Sequence, residues 1–217
     1  MISVIMRAYN NETFVKKAVD SILSQSHKDF ELIIVNDGST DRTAEIVQSF
    51  TDKRIRLLNQ PNKGAIEAAY VGVENSTGDF IFLDADDEMK PNALAELLKP
   101  MKSDIDFTYS DYEEINLITK EKKVVSLENF FNHVVAGILF RKKIVQEIGF
   151  WDRSFILPEY DFLIRVRQKY KGFHVKKVLW TYNRHRSSMT ADKKLVEQAR
   201  KQIFEKYGNI EGLKEYL

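Results

Sequence analysis

Four acidic residues follow an apolar run near the middle of the chain. The apolar segment 80–83 leads directly into Asp84, Asp86, Asp87 and Glu88. Like charges this close together are unfavourable unless a cation offsets them, and carboxylate oxygens suit hard ions such as Mg²⁺ or Mn²⁺. A solvated acidic turn before the next predicted helix is the alternative interpretation. The segment therefore predicts either a metal site or an acidic turn.

Two further polar clusters also follow predicted strands. They are the segments 7–10 and 36–39, which come after the apolar runs 2–6 and 30–35. Ligands of parallel α/β sheets bind beyond the carboxyl ends of the strands. Helix capping alone would not require acids at two strand ends. The three clusters together therefore favour a ligand site over an acidic turn.

The elements that must position these clusters alternate along the first ninety residues. Apolar runs predict strands, and apolar residues spaced three or four apart predict a helix in each interval. This β-α-β-α-β-α-β order is typical of a mostly parallel sheet covered by helices on both faces. The predicted strands are 2–6, 30–35, 55–58 and 80–83.

The second half of the chain is less regular. Its first two predicted strands flank a charged segment that we expect to form a turn. A short helix is expected to end near Gly149. The predicted strands are 105–109, 123–125, 137–140 and 175–182, and the longer helices are 159–171 and 192–207.

The composition excludes some kinds of site. The 217 residues carry a net charge of +1 and include no cysteine. The charge gives no argument for a nucleic-acid partner, and the missing thiols exclude disulfides and thiolate metal sites. No run of about 18 apolar residues is present, so no transmembrane segment is predicted. We expect a soluble, cytoplasmic protein, with peripheral membrane attachment left open; the sequence does not indicate its oligomeric state.

Six segments, in their order and spacing, match a known family: 4–10, 21–26, 30–41, 62–64, 78–87 and 149–152. On these segments the chain resembles the family 2 glycosyltransferases, which have the nucleotide-diphospho-sugar transferase (GT-A) fold. The resemblance implies a single α/β domain over 1–217, in which helices flank a central, mostly parallel mixed β-sheet with a Rossmann-like N-terminal half. It also implies a nucleotide-sugar-binding half, 1–100, and an acceptor-binding half with a C-terminal helix, 101–217.

The resemblance further implies roles for individual residues. The acid that reads the base edge in the family is here Asp37. A carboxylate accepting from the uracil N–H favours uridine over cytidine, although an Asx-turn or helix cap is the alternative for Asp37. Asp86 would hold Mn²⁺ or Mg²⁺, and His185, between Arg184 and Arg186, would contact the metal or the diphosphate. The other residues on the nucleotide side are Ala8, Tyr9, Asn10, Lys63, Asp84 and Ala85.

The family's catalytic base comes from a Glu-Asp pair at the start of a late helix. Alignment on the segment 161–165 puts Glu159 on the base position, and Pro158 replaces the first acid. A carboxylate there can take the proton of an acceptor hydroxyl. Asp161 is the second candidate for the base. Alternatively, Glu159 is only an acid in a first helical turn, where the helix dipole favours it.

The resemblance implies an inverting, metal-dependent transferase that moves a sugar from a UDP-glucose-like donor to a hydroxyl of a glycan or glycoconjugate. A non-catalytic nucleotide-sugar or glycan-binding module is the alternative. A sugar nucleotidyltransferase is disfavoured, because the chain has no glycine before Gly38 to form a phosphate loop. Three departures from the family bear on the donor and the base. Arg7 stands where Pro is common, Ala69 and Tyr70 replace a frequent Arg-Asn pair, and Pro158 removes one acid.

Overall fold

The first half of the chain forms a parallel sheet with helices between its strands. The computed structural model describes residues 1–127, 135–185 and 193–208. All eight residues of the second strand are buried, as expected of a strand covered on both faces. The strands are β1 (Ile2–Ala8), β2 (Phe30–Asp37), β3 (Ile55–Gln60) and β4 (Asp79–Phe82), and the helices between them are α1 (Val15–Leu23), α2 (Thr43–Gln48) and α3 (Ala65–Asn75).

The second half extends the same sheet with mixed strand directions. Its strands are β5 (Glu88–Met89), β6 (Phe107–Asn116), β7 (Lys122–Val125), β8 (Leu139–Phe140) and β9 (Gly172–Arg184). Its helices are α4 (Ala93–Leu98), a 3₁₀ turn (Pro100–Lys102), α5 (Lys142–Ile148), α6 (Pro158–Lys169) and α7 (Lys193–Tyr207).

The strand order of the sheet is β3-β2-β1-β4-β8-β6-β9-β5, with β7 beside β6. β1, β2, β3 and β4 are mutually parallel, and β6 is parallel to β9. β8 is antiparallel to both β4 and β6, and so joins the two parallel groups. The chain is therefore a single α/β domain with a mixed sheet flanked by helices, which confirms the predicted fold class.

Two local expectations were wrong. The charged segment expected to form a turn continues β6 as far as Asn116. It can do so because its backbone pairs with β9 on one side as well as with the neighbouring strand β7 on the other. Glu88, which the solvated-turn interpretation would leave in solvent, is half-buried in β5 and pairs with Thr181 of β9. Both errors arise because β9, the partner strand in each case, is distant in sequence.

Helices cover both faces of the sheet. Val4 and Met6 of β1 face the cluster that contains Val19 of α1. Ile5 faces the opposite cluster, with Val73 of α3. This alternation follows from the period of two in a strand. In the described ranges, no helix is both long and apolar enough to cross a membrane.

A hydrogen-bonded acid lies at the amino end of the parallel strands. Glu31 accepts hydrogen bonds from the hydroxyl of Ser3 (2.7 Å), from the hydroxyl and backbone N–H of Thr77, and from Arg56 (2.8 Å). Burial raises the pKa of Glu31, but these hydrogen bonds outweigh it and lower the pKa to about 2. The ionised carboxylate therefore joins β1, β2, β3 and the loop before β4.

Candidate functional site

The polar clusters predicted at the strand ends meet in one cavity of about 630 Å³. It lies at the carboxyl ends of β1, β2 and β4, and the start of α6 and the end of β9 complete its wall. Ala85, Lys63 and Asp161 are not among its lining residues. The predicted site residues that do line it are Ala8, Tyr9, Asn10, Asp37, Asp84, Asp86, Glu159 and His185.

The loop after β1 is tied to the loop after β2. Asn10 accepts from the backbone N–H of Thr40 through Oδ1 (2.8 Å), and its own N–H donates to the hydroxyl of Ser39 (3.1 Å). Asn10 has φ of 53°, in the left-handed region that asparagine adopts more readily than most residues. The Tyr9 side chain is 48% exposed beside this loop. An accessible aromatic ring is therefore held at the cavity mouth.

Asp37 ends β2 and holds the turn that begins α3. Its Oδ1 accepts from Nε2 of Gln60 (2.7 Å) and from the backbone N–H of Lys63 (2.9 Å), and its Oδ2 accepts from the N–H of Gly64 (2.8 Å). The next residue, Gly38, has φ of 70°, and a Cβ there would lie 2.5 Å from Asn62 N. Asp37 thus holds a turn that is distant in sequence while it lines the cavity, and these hydrogen bonds are not the local Asx-turn or helix-cap contacts of its alternative interpretation.

The acids after β4 diverge to different partners. Asp84 accepts from Arg7 through both oxygens, from Nε at 2.8 Å and from Nη2 at 2.7 Å. Asp86 Oδ2 lies 2.7 Å from Nε2 of His185. Asp87 accepts from the backbone N–H of Asn183 at 2.9 Å. Ala85 packs into the core and contributes no side chain to the cavity.

The electrostatics of the buried acids differ from those of ordinary surface carboxyls. Burial raises the pKa of Asp86, and the nearby Asp84 raises it further against the opposing effect of His185. Burial, Asp86 and Asp84 hold the pKa of Asp87 well above its usual range. Burial disfavours the ionised form of a carboxyl group, and a neighbouring like charge does the same. A bound cation would offset this concentration of acids.

The arrangement fits a divalent cation held jointly by protein and ligand. Asp86 and His185 offer one carboxylate and one imidazole, donors that Mn²⁺ accepts. The His185 ring is oriented by stacking on Phe14, with centroids 5.2 Å apart and planes 14° from parallel. Over the described part of the chain, no three acidic or histidine side chains form a metal cluster. The remaining donors would have to come from phosphate oxygens and water.

Glu159 reaches the cavity from the first turn of α6, one residue after Pro158. It is 8% exposed. Burial raises the pKa of Glu159, while its own backbone N–H and Arg7 act in the opposite direction. A raised carboxyl pKa is a property of many general bases.

Asp161, two residues further along α6, is fully buried outside the cavity. Its carboxylate accepts from Arg165 (2.7 Å), Lys206 (2.7 Å) and the hydroxyl of Tyr207. Burial raises the pKa of Asp161, but these hydrogen bonds outweigh it, so that the pKa is lowered. Because Lys206 and Tyr207 belong to α7, this carboxylate holds α7 against α6.

Several residues that shape the cavity were not predicted from the sequence. Arg7 was included in the polar cluster 7–10 and noted as a departure from the family, but it was given no role in the site; its guanidinium lies beside Asp84 in the cavity. The sequence feature that could have pointed to Arg7 was its charge at the end of an apolar strand, at the same edge of the sheet as the acids. Arg184 lies 3.6 Å from Glu114, and Arg186 lies outside the described residues.

Comparison with known proteins gives a family and a fold. A family model described as glycosyl transferase family 2 matches residues 3–173. The Escherichia coli protein named UDP-Glc:alpha-D-GlcNAc-diphosphoundecaprenol beta-1,3-glucosyltransferase WfgD is 39% identical over 119 residues, 54% of this chain. The chain spans 47% of that protein and 20–54% of other curated relatives.

Two solved structures resemble almost the whole chain. The crystal structure of S. aureus TarS in complex with UDP-GlcNAc superposes with a TM-score of 0.76 at 16% identity, covering 99% of this chain and 69% of that one. The mannosyltransferase PcManGT from Pyrobaculum calidifontis, in complex with GDP-Man and Mn²⁺, gives a TM-score of 0.75 at 13% identity, covering 99% and 67%. At these identities the likeness shows the GT-A fold.

Proposed function

Because the chain belongs to glycosyl transferase family 2, we propose that it transfers a sugar from a nucleoside diphosphate to a hydroxyl group of a saccharide or glycoconjugate acceptor. One observation carries the proposal. Asp37, Asp86 and Glu159, which come from three different elements, line a single cavity at the carboxyl ends of parallel strands. That is where sheets of this kind bind nucleotides.

The proposed donor is a UDP-sugar, of the UDP-glucose type. Tyr9 presents an accessible ring and Asp37 a buried carboxylate at the same end of the cavity. The two Asp37 oxygens already accept three hydrogen bonds, which fix the carboxylate without exhausting its lone pairs. An acceptor held in this way suits the N–H of uracil and rejects the N3 acceptor of cytosine.

The proposed cofactor is Mn²⁺ or Mg²⁺, with Asp86 and His185 as its protein ligands. When bound, such an ion would offset the charge of the departing nucleoside diphosphate. The PcManGT complex contains Mn²⁺, which supports a divalent ion in a protein of this fold.

Glu159 is the proposed base. It would take the proton of the acceptor hydroxyl as the acceptor oxygen bonds to the anomeric carbon and the bond from that carbon to the phosphate oxygen breaks. Attack from the side opposite the diphosphate inverts the anomeric configuration. Asp161 suits this role less, because it lies outside the cavity and its oxygens are occupied by Arg165, Lys206 and Tyr207.

Nucleotide binding tests the proposal. Calorimetric titration of the full chain with UDP-glucose, UDP-GlcNAc and GDP-mannose, each with and without Mn²⁺, should show Mn²⁺-dependent binding of a UDP-sugar. Asp86→Ala should weaken the Mn²⁺-dependent binding by at least about tenfold. Preferred binding of GDP-mannose would contradict the proposed UDP-sugar donor, and unchanged binding in Asp86→Ala would contradict the metal site.

Release of UDP distinguishes an enzyme from a binding module. Wild-type protein with a bound UDP-sugar, Mn²⁺ and a panel of saccharide acceptors should release UDP. Glu67→Gln is a matched control for Glu159→Gln, the variant that lacks the proposed base, because Glu67 is an acid paired with Arg153 outside the cavity. Tight donor binding without release or hydrolysis would favour the non-catalytic alternative.

A further inference from the structure

Arg7 lines the cavity and is fixed there by its neighbours. One edge of its guanidinium is fixed by the two hydrogen bonds to Asp84. Its central carbon lies 5.7 Å from the ring centroid of Phe82 and 5.7 Å from that of Trp151. A carboxylate on one edge and aromatic rings nearby fix both the position and the plane of the group.

The other edge of the guanidinium remains available. Over the described ranges, Nε and Nη2 of Arg7 have hydrogen-bond partners in the protein and Nη1 has none. The Arg7 side chain is 14% exposed, and it lines the cavity. A fixed, cavity-lining group therefore carries two N–H donors that the described protein atoms do not use.

The charges around Arg7 indicate what these donors face. Burial acts to lower the pKa of Arg7, but Asp84, Glu159 and Asp86 raise it, so the guanidinium stays charged. Arg7 therefore lies within electrostatic reach of both the proposed base and the proposed metal ligand. In a transferase the group between the base and the diphosphate is the sugar.

We propose that Nη1 of Arg7 donates hydrogen bonds to a hydroxyl oxygen of the sugar being transferred, and so holds that sugar between Asp84 and Glu159. This inference rests on the proposed function. A phosphate oxygen is the less suitable partner, because the bidentate pair with Asp84 already neutralises the charge of Arg7. A neutral hydroxyl needs directed donors rather than net charge.

Paired titrations with UDP and UDP-glucose test this contact. Arg7→Met should weaken the binding of UDP-glucose by about 10–100-fold, the range of a hydrogen bond from a charged donor, and that of UDP by less than about threefold. Arg7→Lys should not restore binding, because a lysine ammonium cannot both hold Asp84 bidentately and present a second edge. Equal weakening of UDP and UDP-glucose, or no change in either, would overturn the inference.

Arg54 supplies the matched control. It also makes a bidentate pair with an aspartate, Asp52, and its guanidinium lies 4.3 Å from the ring centroid of Phe30. Neither Arg54 nor Asp52 lines the cavity. Arg54→Met should therefore lose a comparable pair without changing either affinity.

Modified donors measure the same contact from the side of the ligand. Among the 2-, 3-, 4- and 6-deoxy analogues of UDP-glucose, one should bind wild type at least about tenfold more weakly than UDP-glucose, and Arg7→Gln should abolish that difference. If every deoxy difference persists in Arg7→Gln, Arg7 does not bind the sugar. If wild type binds no UDP-sugar at all, the proposed function itself fails, which is a separate result.

Discussion

Buried acids lie at both ends of the parallel strands, but their surroundings are opposite. At the amino end, Glu31 is surrounded by donors from Ser3, Thr77 and Arg56, and its pKa is lowered to about 2. At the carboxyl end, burial raises the pKa of Glu159 and of Asp86. The first carboxylate is stabilised as an ion by the fold, whereas the other two are buried without enough donors.

The difference separates stability from binding. An acid whose hydrogen-bonding capacity is met by the protein strengthens the fold when it ionises. An acid buried at a cavity without such partners costs stability when it ionises, and it keeps lone pairs for a ligand, a cation or a proton. The two ends of one sheet therefore have different tasks although both contain buried carboxyls.

The largest expected effect comes from Glu159→Gln. Removal of the proposed base should lower kcat by about 10²–10⁴-fold, because the acceptor hydroxyl loses its proton acceptor. Stability should be unchanged or slightly higher. The pKa of Glu159 is raised in the folded protein, so its contribution to stability falls as pH rises from the unfolded-state value through the raised one. UDP release and thermal unfolding at pH 7 measure the two effects.

A marked fall in the melting temperature of Glu159→Gln with unchanged turnover would contradict this contrast with Glu31, since Glu159 would then be a structural acid. In wild type, kcat should also rise with pH as the raised pKa of Glu159 is crossed, and Glu159→Gln should lose that limb of the pH profile.

Asp161→Asn should have the next largest effect, and it should lower stability rather than turnover. This acid lies on the same helix as Glu159, but its carboxylate accepts hydrogen bonds from Arg165, Lys206 and Tyr207. Its loss leaves two partly exposed cations without their shared partner, and we expect the free energy of unfolding to fall by about 2–3 kcal/mol. Urea unfolding measures the change, and the affinity for UDP should stay within about twofold. A large loss of kcat with unchanged stability would give Asp161, rather than Glu159, the role of base.

The smallest expected effect is that of Glu31→Gln, about 2 kcal/mol of unfolding free energy at pH 7, which is less than the roughly 3 kcal/mol of the full pKa difference because its partner Arg56 is partly exposed to solvent. Because the folded-state pKa is lowered from 4.5 to about 2, the stabilisation is fully present above the unfolded value. It is lost as pH falls from about 4.5 toward 2. The difference between wild type and Glu31→Gln should therefore shrink over that interval. A difference that does not depend on pH would show that Glu31 acts only by packing.

The strands and the positions of the acids at their ends could be predicted from the sequence. The partners of those acids could not, because they are distant in sequence. The apolar runs that form β1, β2, β3 and β4 are continuous and short, so they indicate buried strands with their polar ends at one edge. The positions of Asp37, Asp86 and Glu159 at the cavity followed from this alternation and from the family resemblance.

The partners of the acids could not be predicted. Arg7 and Asp84 are 77 positions apart, and Asp86 and His185 are 99 apart. Such pairs depend on which strands are placed side by side in the sheet, which a periodic pattern in one segment does not specify. The same limit explains β5, whose two residues form a strand only because β9 lies next to them.

The insertion of β8 has a consequence for truncation. β8 contributes Leu139 and Phe140, which pair with β4 on one side and β6 on the other. A fragment that stopped near residue 100 would leave the β4 edge open, with Phe80 and Ile81 along it. An uncovered hydrophobic edge is a template for pairing with other chains. Such a fragment should therefore aggregate rather than survive as a small nucleotide-binding module.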